Sequence, residues 1–216
     1  MFISFEGLDF SGKSTQVRRL VNRLERLSVF IQRGTLVHVL REPGGTTISE
    51  RIRDLLLDRK NLALTDTAEL LLFSASRAQL VSEVIRPAVL RGDVVVCDRY
   101  VDSTTAYQGH GRGIPLETVQ ALNAAATGGV MPELTLLIDI PVKEIRERKI
   151  KAGMAFDRME SSGAEFYERV RAGFHGIAAR EPDRFRIIDG LRSVEEIQAE
   201  IWSLVEEKYA YVQLEG

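Results

Sequence analysis

Apolar residues along this chain follow two alternating patterns. Short runs rich in β-formers, Phe2–Phe5, Leu36–Leu40, Val94–Cys97, Leu134–Ile140 and Arg186–Ile188, are separated by longer stretches with helical spacing. Those stretches lie near residues 13–28, 47–57, 66–91, 115–127, 142–152, 160–179 and 193–208. Strand–helix alternation of this kind predicts an α/β fold of three layers, a five-stranded parallel sheet flanked by helices. Val94-Val95-Val96-Cys97 is wholly apolar, as a central strand buried on both faces should be. After Ser14, the residues Val17, Leu20, Val21, Leu24 and Leu27 share one helical face, with arginines opposite. Residues 28–40 are ambiguous, because Val29-Phe30-Ile31 fits a helix end, a short strand or packed loop equally well. No repeat, low-complexity tract or linker breaks the pattern, so residues 1–216 read as a single domain.

Composition narrows the class. The chain is 44% hydrophobic and 28% charged, the balance of a globule with a sizeable core. A formal charge of −2 argues against nonspecific nucleic-acid binding, so cations that meet phosphate must be concentrated locally. Cys97 is the single cysteine, which rules out an intrachain disulfide and fits a reducing compartment. With one Cys and only His38, His110 and His175, a structural zinc site is not expected. No apolar run approaches the roughly 20 residues of a membrane span, and the expected location is the cytoplasm.

Several strands end in polar residues, namely Glu6, Arg41-Glu42, Asp98-Arg99 and Asp189, and ligands of open α/β sheets bind at those ends. After the first strand, Gly7-Leu8-Asp9-Phe10-Ser11-Gly12-Lys13-Ser14 matches the P-loop pattern G-x-x-x-x-G-K-S/T and opens a helix. Its glycines let backbone N–H groups turn toward phosphate oxygens, and the helix dipole points at the same anion. Lys13 can neutralise the β- and γ-phosphates, and Ser14 offers a hydroxyl to a magnesium ion. Asp98-Arg99-Tyr100 is, by itself, equally an ion pair at a strand end or a metal ligand beside a phosphate fork. A P-loop in the same sheet favours the second. Arg41-Glu42-Pro43-Gly44-Gly45-Thr46 makes a sharp turn before a helix capped by Thr46 or Thr47, and of Arg51 and Arg53 only one should face the site. Residues 143–158 hold Lys143, Arg146, Arg148, Lys149, Lys151 and Arg158, which alone would be a solvated helix face. Beside a P-loop, the segment reads as a short mobile cationic lid.

The combination resembles the thymidylate kinase family. The matching pieces are Phe5-Glu6-Gly7-Leu8-Asp9 with Gly12-Lys13-Ser14-Thr15, the Arg41–Thr46 turn, and Leu71-Leu72-Phe73-Ser74-Ala75-Ser76-Arg77. Further along come Asp98-Arg99-Tyr100, Ser103, Ala106-Tyr107-Gln108-Gly109, Gly111-Arg112-Gly113 and Phe156-Asp157-Arg158-Met159-Glu160. They occur in the family's order and cover residues 1–175. The resemblance implies phosphorylation of dTMP to dTDP, with ATP as donor and Mg²⁺ as cofactor, by a homodimer. Gly7, Leu8, Asp9, Phe10, Ser11, Gly12, Lys13, Ser14 and Thr15 would bind ATP, and Ser14 and Asp98 would serve the metal. Phe73 would stack on thymine while Arg77 hydrogen-bonds the carbonyl edge of the base, a pairing that i, i+4 geometry allows. Arg53 and Arg99 would bind the acceptor phosphate, and Tyr107 would pack on the sugar. Glu42, Pro43, Ser103, Thr104 and Gln108 would complete the pocket. Lys13, Asp9, Arg99, Arg148 and Arg158 would be the catalytic set.

The chain departs from the family in three places. Position 10 is Phe where some members carry arginine, so catalytic cations are expected from the lid, which is itself lysine-rich. His110 replaces a common glycine, and residues 28–37 look longer than usual. A phosphate acceptor is already anionic near neutral pH, so no general base is required, consistent with the lack of an obvious catalytic histidine. Another nucleoside or nucleoside monophosphate kinase shares most of these motifs. A nucleotide-dependent switch fits less well: no Asn-Lys-x-Asp guanine reader is present, and the sole Asp-x-x-Gly, Asp9–Gly12, lies inside the P-loop.

Overall fold

The structure is a computed structural model, and it describes residues 1–152 and 163–209. Strands β1 (Phe2–Glu6), β2 (Val37–Arg41), β3 (Val94–Asp98), β4 (Leu134–Asp139) and β5 (Phe185–Asp189) form one parallel sheet in the order β2-β3-β1-β4-β5. The expected five-stranded sheet is therefore present, each strand lying within one or two residues of its apolar run. Strands β1, β3 and β4 are buried almost throughout, and the edge strands β2 and β5 are more exposed.

The helices are α1 (Lys13–Leu24), α2 (Ser28–Arg33), α3 (Thr47–Leu57), α4 (Asp66–Leu80), α5 (Arg86–Arg91), α6 (Val101–Thr104), α7 (Leu116–Thr127), α8 (Val142–Ala152), α9 (Ala164–Arg180) and α10 (Val194–Lys208). One sheet face packs Ile3, Phe5, Val96 and Leu136 against Val17, Leu20 and Leu24 of α1 and Ile201 and Trp202 of α10. The other sets Phe2, Val95 and Cys97 against Leu80, Ile85 and Tyr100, and Leu137 against Phe166 and Phe174 of α9. Adjacent residues of one strand thus feed opposite layers, as the period-2 geometry of a strand requires.

Three segments differ from the sequence reading for identifiable reasons. The ambiguous stretch after α1 forms the short helix α2, which seats Phe30 in the core and ends at Gly34 with a positive φ of 64°. The single stretch expected over 66–91 is interrupted by a π-helical turn, Val81–Ile85, before α5. Pro87 lacks the N–H that an uninterrupted α-helix would direct to Glu83, and the wider turn absorbs that gap. Residues 101–111 are helical, α6 running into a π-helical Thr105–Gly111, although their Ser, Thr and Gly content hides the period. Gly111 is dictated by close approach, since a Cβ there would lie 2.6 Å from Phe166. His110 packs on Gly173 of α9, where a Cβ would meet its ring at 2.8 Å.

The register places the site. Phe5 is level with Asp98 on one side and Leu136 on the other, and Asp98 is level with Arg41. The carboxyl ends of β2, β3 and β1 therefore open side by side, delivering the Arg41-Glu42 turn, Asp98-Arg99 and the P-loop to one edge.

Candidate active site

Two cavities that share a wall at that edge hold most of the expected site residues. One, of about 440 Å³, is lined by Asp9, Phe10, Ser11, Gly12, Lys13, Ser14 and Thr15 together with Arg41, Glu42, Arg53, Asp98 and Arg99. The other, of about 110 Å³, is lined by Asp9, Glu42, Pro43, Arg53, Leu57, Phe73, Arg77, Arg99, Ser103, Thr104, Tyr107 and Gln108. Asp9, Glu42, Arg53 and Arg99 belong to both walls.

The P-loop curls because Gly7 has φ 134°, and a Cβ there would sit 2.5 Å from the Ile138 carbonyl oxygen. Gly7 and Leu8 line neither cavity, and their carbonyls accept from Lys13 Nζ at 3.0 and 2.8 Å. Burial and then neighbouring Arg99 bring the Lys13 ammonium down to about 8, against the pull of Asp98, Asp9 and Glu6. Ser14 Oγ donates to Asp98 Oδ2 at 3.1 Å, so a hydroxyl and a carboxylate meet at the wall of the larger cavity. That all-oxygen pair suits Mg²⁺, which takes few protein ligands and completes its shell with water and phosphate. Among the described residues no cluster of three or more Asp, Glu, His or Cys offers an alternative metal cage.

Arg99 stands in left-handed backbone at φ 73°. Its N–H donates to the Phe5 carbonyl at 2.9 Å, and its guanidinium donates to the Gly7 carbonyl at 3.0 Å, Ser103 Oγ at 3.2 Å and Asp9 Oδ1 at 2.7 Å. Behind it lies Glu6, fully buried, which accepts from the Tyr100 N–H at 2.7 Å and from Ser103 Oγ at 2.5 Å. Burial foremost, then the Asp102 charge, pushes the Glu6 carboxyl up to about 8 despite those donors. Arg53 reaches the shared wall from α3, donating to the Pro43 carbonyl at 2.8 Å.

In the smaller cavity Phe73 and Arg77 are one helical turn apart on α4. Arg77 is 1% exposed and held on three sides. Its Nε and Nη2 meet Glu42 Oε2 at 2.7 and 2.6 Å, Nη2 also donates to the Tyr100 carbonyl at 3.0 Å, and Nη1 donates to Asn123 Oδ1 at 2.8 Å. Burial alone would lower the Arg77 guanidinium, but the Glu42 carboxylate outweighs it and holds the group above its ordinary range. Glu42 Oε1 is left without a partner in the buried wall. Tyr107 lies under Arg99, the guanidinium carbon 5.1 Å from the ring centroid, with its hydroxyl unpartnered. Gln108 turns its amide to Glu69 at 2.9 Å, a buried carboxylate that also takes Arg112.

The structure thus brings together Asp9, Lys13, Ser14, Asp98 and Arg99 with all the residues expected around an acceptor. Arg148 lines neither cavity itself, but its guanidinium donates to the carbonyls of Phe10 and Ser11, which line the larger one, and to that of Gly190. Arg158 and the rest of the expected lid past Ala152 lie outside the described residues. Sequence reasoning missed Leu57, Glu69 and Asn123, and it marked Glu6 only as a polar strand end. Glu69 had a readable signal, a carboxylate on the same α4 stripe as Phe73 and Arg77.

Comparison with known proteins places this geometry among relatives. The model of the family described as Thymidylate kinase matches residues 5–201. The thymidylate kinase of Desulfovibrio desulfuricans is 46% identical over 222 residues, spanning 100% of this chain and 98% of its own. That of Chlorobium luteolum is 46% identical over 217 residues, covering 97% and 98%. A crystal structure of thymidylate kinase from Ehrlichia chaffeensis superposes with a TM-score of 0.75 at 34% identity, covering 95% of this chain and 98% of that one.

Proposed function

This chain belongs to the thymidylate kinase family, a family of phosphotransferases that make dTDP from dTMP on the route to dTTP with ATP as donor, and from that premise we propose that the two cavities are its donor and acceptor sites. The observation that carries the reading is the shared wall, in which Arg53 and Arg99 front both cavities. Direct transfer between two polyanions needs such a wall, because their mutual repulsion must be screened where they meet.

On this reading ATP phosphates occupy the P-loop cavity and dTMP the smaller one. Mg²⁺ held by Ser14 and Asp98 would neutralise charge on the donor phosphates. Lys13 holds the transferring group from the loop side. Arg99 and Arg53 position the acceptor phosphate, one of whose oxygens attacks the γ-phosphorus in line as the bond to the bridging oxygen breaks. Asp9 orients Arg99 through their 2.7 Å contact. No general base is needed, since the attacking oxygen is already anionic. Phe73, Pro43 and Tyr107 supply an apolar slot, and Arg77 supplies a donor to a base carbonyl. We read residues 1–216 as one unit acting as a cytoplasmic homodimer. Leu55, Leu62 and Leu71, exposed on α3, the turn after it and α4, give apolar surface for self-association.

The test measures ADP release with Mg-ATP and dTMP, dUMP, dCMP, dGMP, AMP, UMP or no acceptor. Strong turnover with dTMP and little without acceptor is expected. Preference for another monophosphate would overturn the assignments of Phe73, Arg77 and Tyr107, and silence with every acceptor would overturn the two-site reading.

A further inference from the structure

Arg77 has five N–H hydrogens, and four have protein partners: one on Nε, two on Nη2 and one on Nη1. The remaining hydrogen is on Nη1, the nitrogen held by Asn123. A guanidinium is planar, so once one Nη1 hydrogen is aimed at Asn123 Oδ1, the direction of the other is set. Asn123 is itself constrained. Its Nδ2 donates to the Val101 carbonyl and to Thr105 Oγ1, both at 3.3 Å. Reversing the amide would set NH₂ against Arg77 and a carbonyl against the Val101 carbonyl, two mismatched contacts in a buried site. Asn123 does not line the smaller cavity, and its own side faces a separate one shared with Val101, Asp102, Thr105 and Arg184.

We propose that Asn123 is a positioning residue for base selection: by fixing the rotation of Arg77 from behind, it directs the last guanidinium N–H toward an acceptor on the base. The inference rests on the reading of the smaller cavity as the dTMP site. A monophosphate whose base presents an amino donor there, such as dCMP, meets a donor that cannot turn away. Without Asn123 the fork keeps Glu42 and the Tyr100 carbonyl but loses the anchor on Nη1, the nitrogen that carries the free hydrogen, and the rejection weakens. The amide side chain matters for its acceptor oxygen, so aspartate at this position, which keeps that oxygen and as the protonated acid donates its O–H to the Val101 carbonyl, retains the function and alanine does not.

The experiment compares steady-state kinetics of the wild-type chain, Asn123→Ala and Asn123→Asp, each checked for native circular dichroism. Asn123→Ala should raise KM for dTMP about tenfold and lower the dTMP over dCMP preference in kcat/KM by a similar factor, the size expected for one buried hydrogen bond. Its KM for ATP should stay within about twofold, and Asn123→Asp should keep both dTMP parameters within about threefold. Should alanine not fold, Asn123→Ser, which is too short to reach Arg77, takes its place against Asn123→Asp. An alanine or serine variant with unchanged dTMP KM and selectivity, or aspartate failing as badly, overturns the proposal. So does an equal rise in KM for both substrates, the mark of a merely structural role. A wild-type chain that turns over dTMP confines such a failure to Asn123, and one that does not overturns the site reading with it.

Discussion

Replacing Arg77 with methionine tests how the acceptor cavity is held together. Methionine keeps most of the side-chain length and apolar body, so the loss is chiefly electrostatic. Glu42, 5% exposed, would lose its ion pair with Arg77, and Oε1 already lacks a partner. Asn123 Oδ1 and the Tyr100 carbonyl would each lose a donor. Breaking a buried ion pair from one side costs about 3–5 kcal/mol, and most of that is the stranded charge. For a chain of this size the midpoint of thermal unfolding should fall by roughly 6–20 °C.

Urea unfolding at fixed protein concentration, followed by circular dichroism and Trp202 fluorescence, measures the loss. Trp202 is a suitable reporter because it is buried against α1 with the Arg23 guanidinium 3.6 Å from its ring. The double variant Glu42→Gln with Arg77→Met removes the stranded charge, so it should be more stable than Arg77→Met alone by about 1–3 kcal/mol. A loss under about 1 kcal/mol for Arg77→Met, or single losses that add within about 0.5 kcal/mol, would refute the buried-pair account. The result also decides how kinetics are read. Any rise in KM for dTMP in an Arg77 variant mixes a lost base contact with a loosened wall unless stability is measured alongside.

Arg99→Ala keeps a side chain at φ 73°, whereas Arg99→Gly relaxes that backbone, so both should lose dTMP turnover while glycine is more stable by about 1 kcal/mol; equal stability would deny the strain. Asp139 is held below the usual carboxylate range because, although burial raises it, Arg171 at 2.8 and 2.7 Å and His175 at 3.1 Å outweigh that effect. Its stabilisation is therefore present above the ordinary value of about 4 and lost as pH falls through the depressed one, so the gap in unfolding free energy between wild type and Asp139→Asn should be flat from neutral pH and close in strong acid. A gap that grows on acidification would contradict the sign. Lys13→Met should cut turnover by about 10²–10³ without lowering the thermal midpoint by more than about 5 °C, because burying the ammonium already disfavours it; near-normal turnover would remove the lysine from the mechanism.

What the sequence made legible was local chemistry and period. Apolar runs located the strands, most plainly β1, β3 and β4, which are buried on both faces, and the residues lining the smaller cavity were legible through the family's motifs. Strand order was not, because nothing in a strand's own composition states its neighbour. The helix at 101–111 escaped because Gly109 and Gly111 read as turn residues, whereas Gly111 is set by the Phe166 ring that packs on it. Asn123 escaped for a related reason. A lone amide on an ordinary amphipathic helix acquires meaning only from Arg77, 46 positions earlier in the chain.

Arg99 shows why such residues act together. Its strained backbone persists because the end of β1 and the start of the P-loop surround it: Phe5 takes its N–H, Glu6 takes the next N–H, and Gly7 and Asp9 take its side chain. The same turn continues into Lys13, whose ammonium is anchored on the carbonyls of Gly7 and Leu8. Gly7 thus accepts from both cations through one carbonyl oxygen. In the proposed reaction one cation serves the donor phosphate and the other the acceptor. A displacement of that peptide would move both together, preserving the line between the reacting groups. In-line transfer is sensitive to misplacement of about 1 Å, so a common anchor stabilises the quantity that matters most, the relative position of donor and acceptor. Glu6 extends the arrangement inward, tying the strained arginine to the centre of the sheet.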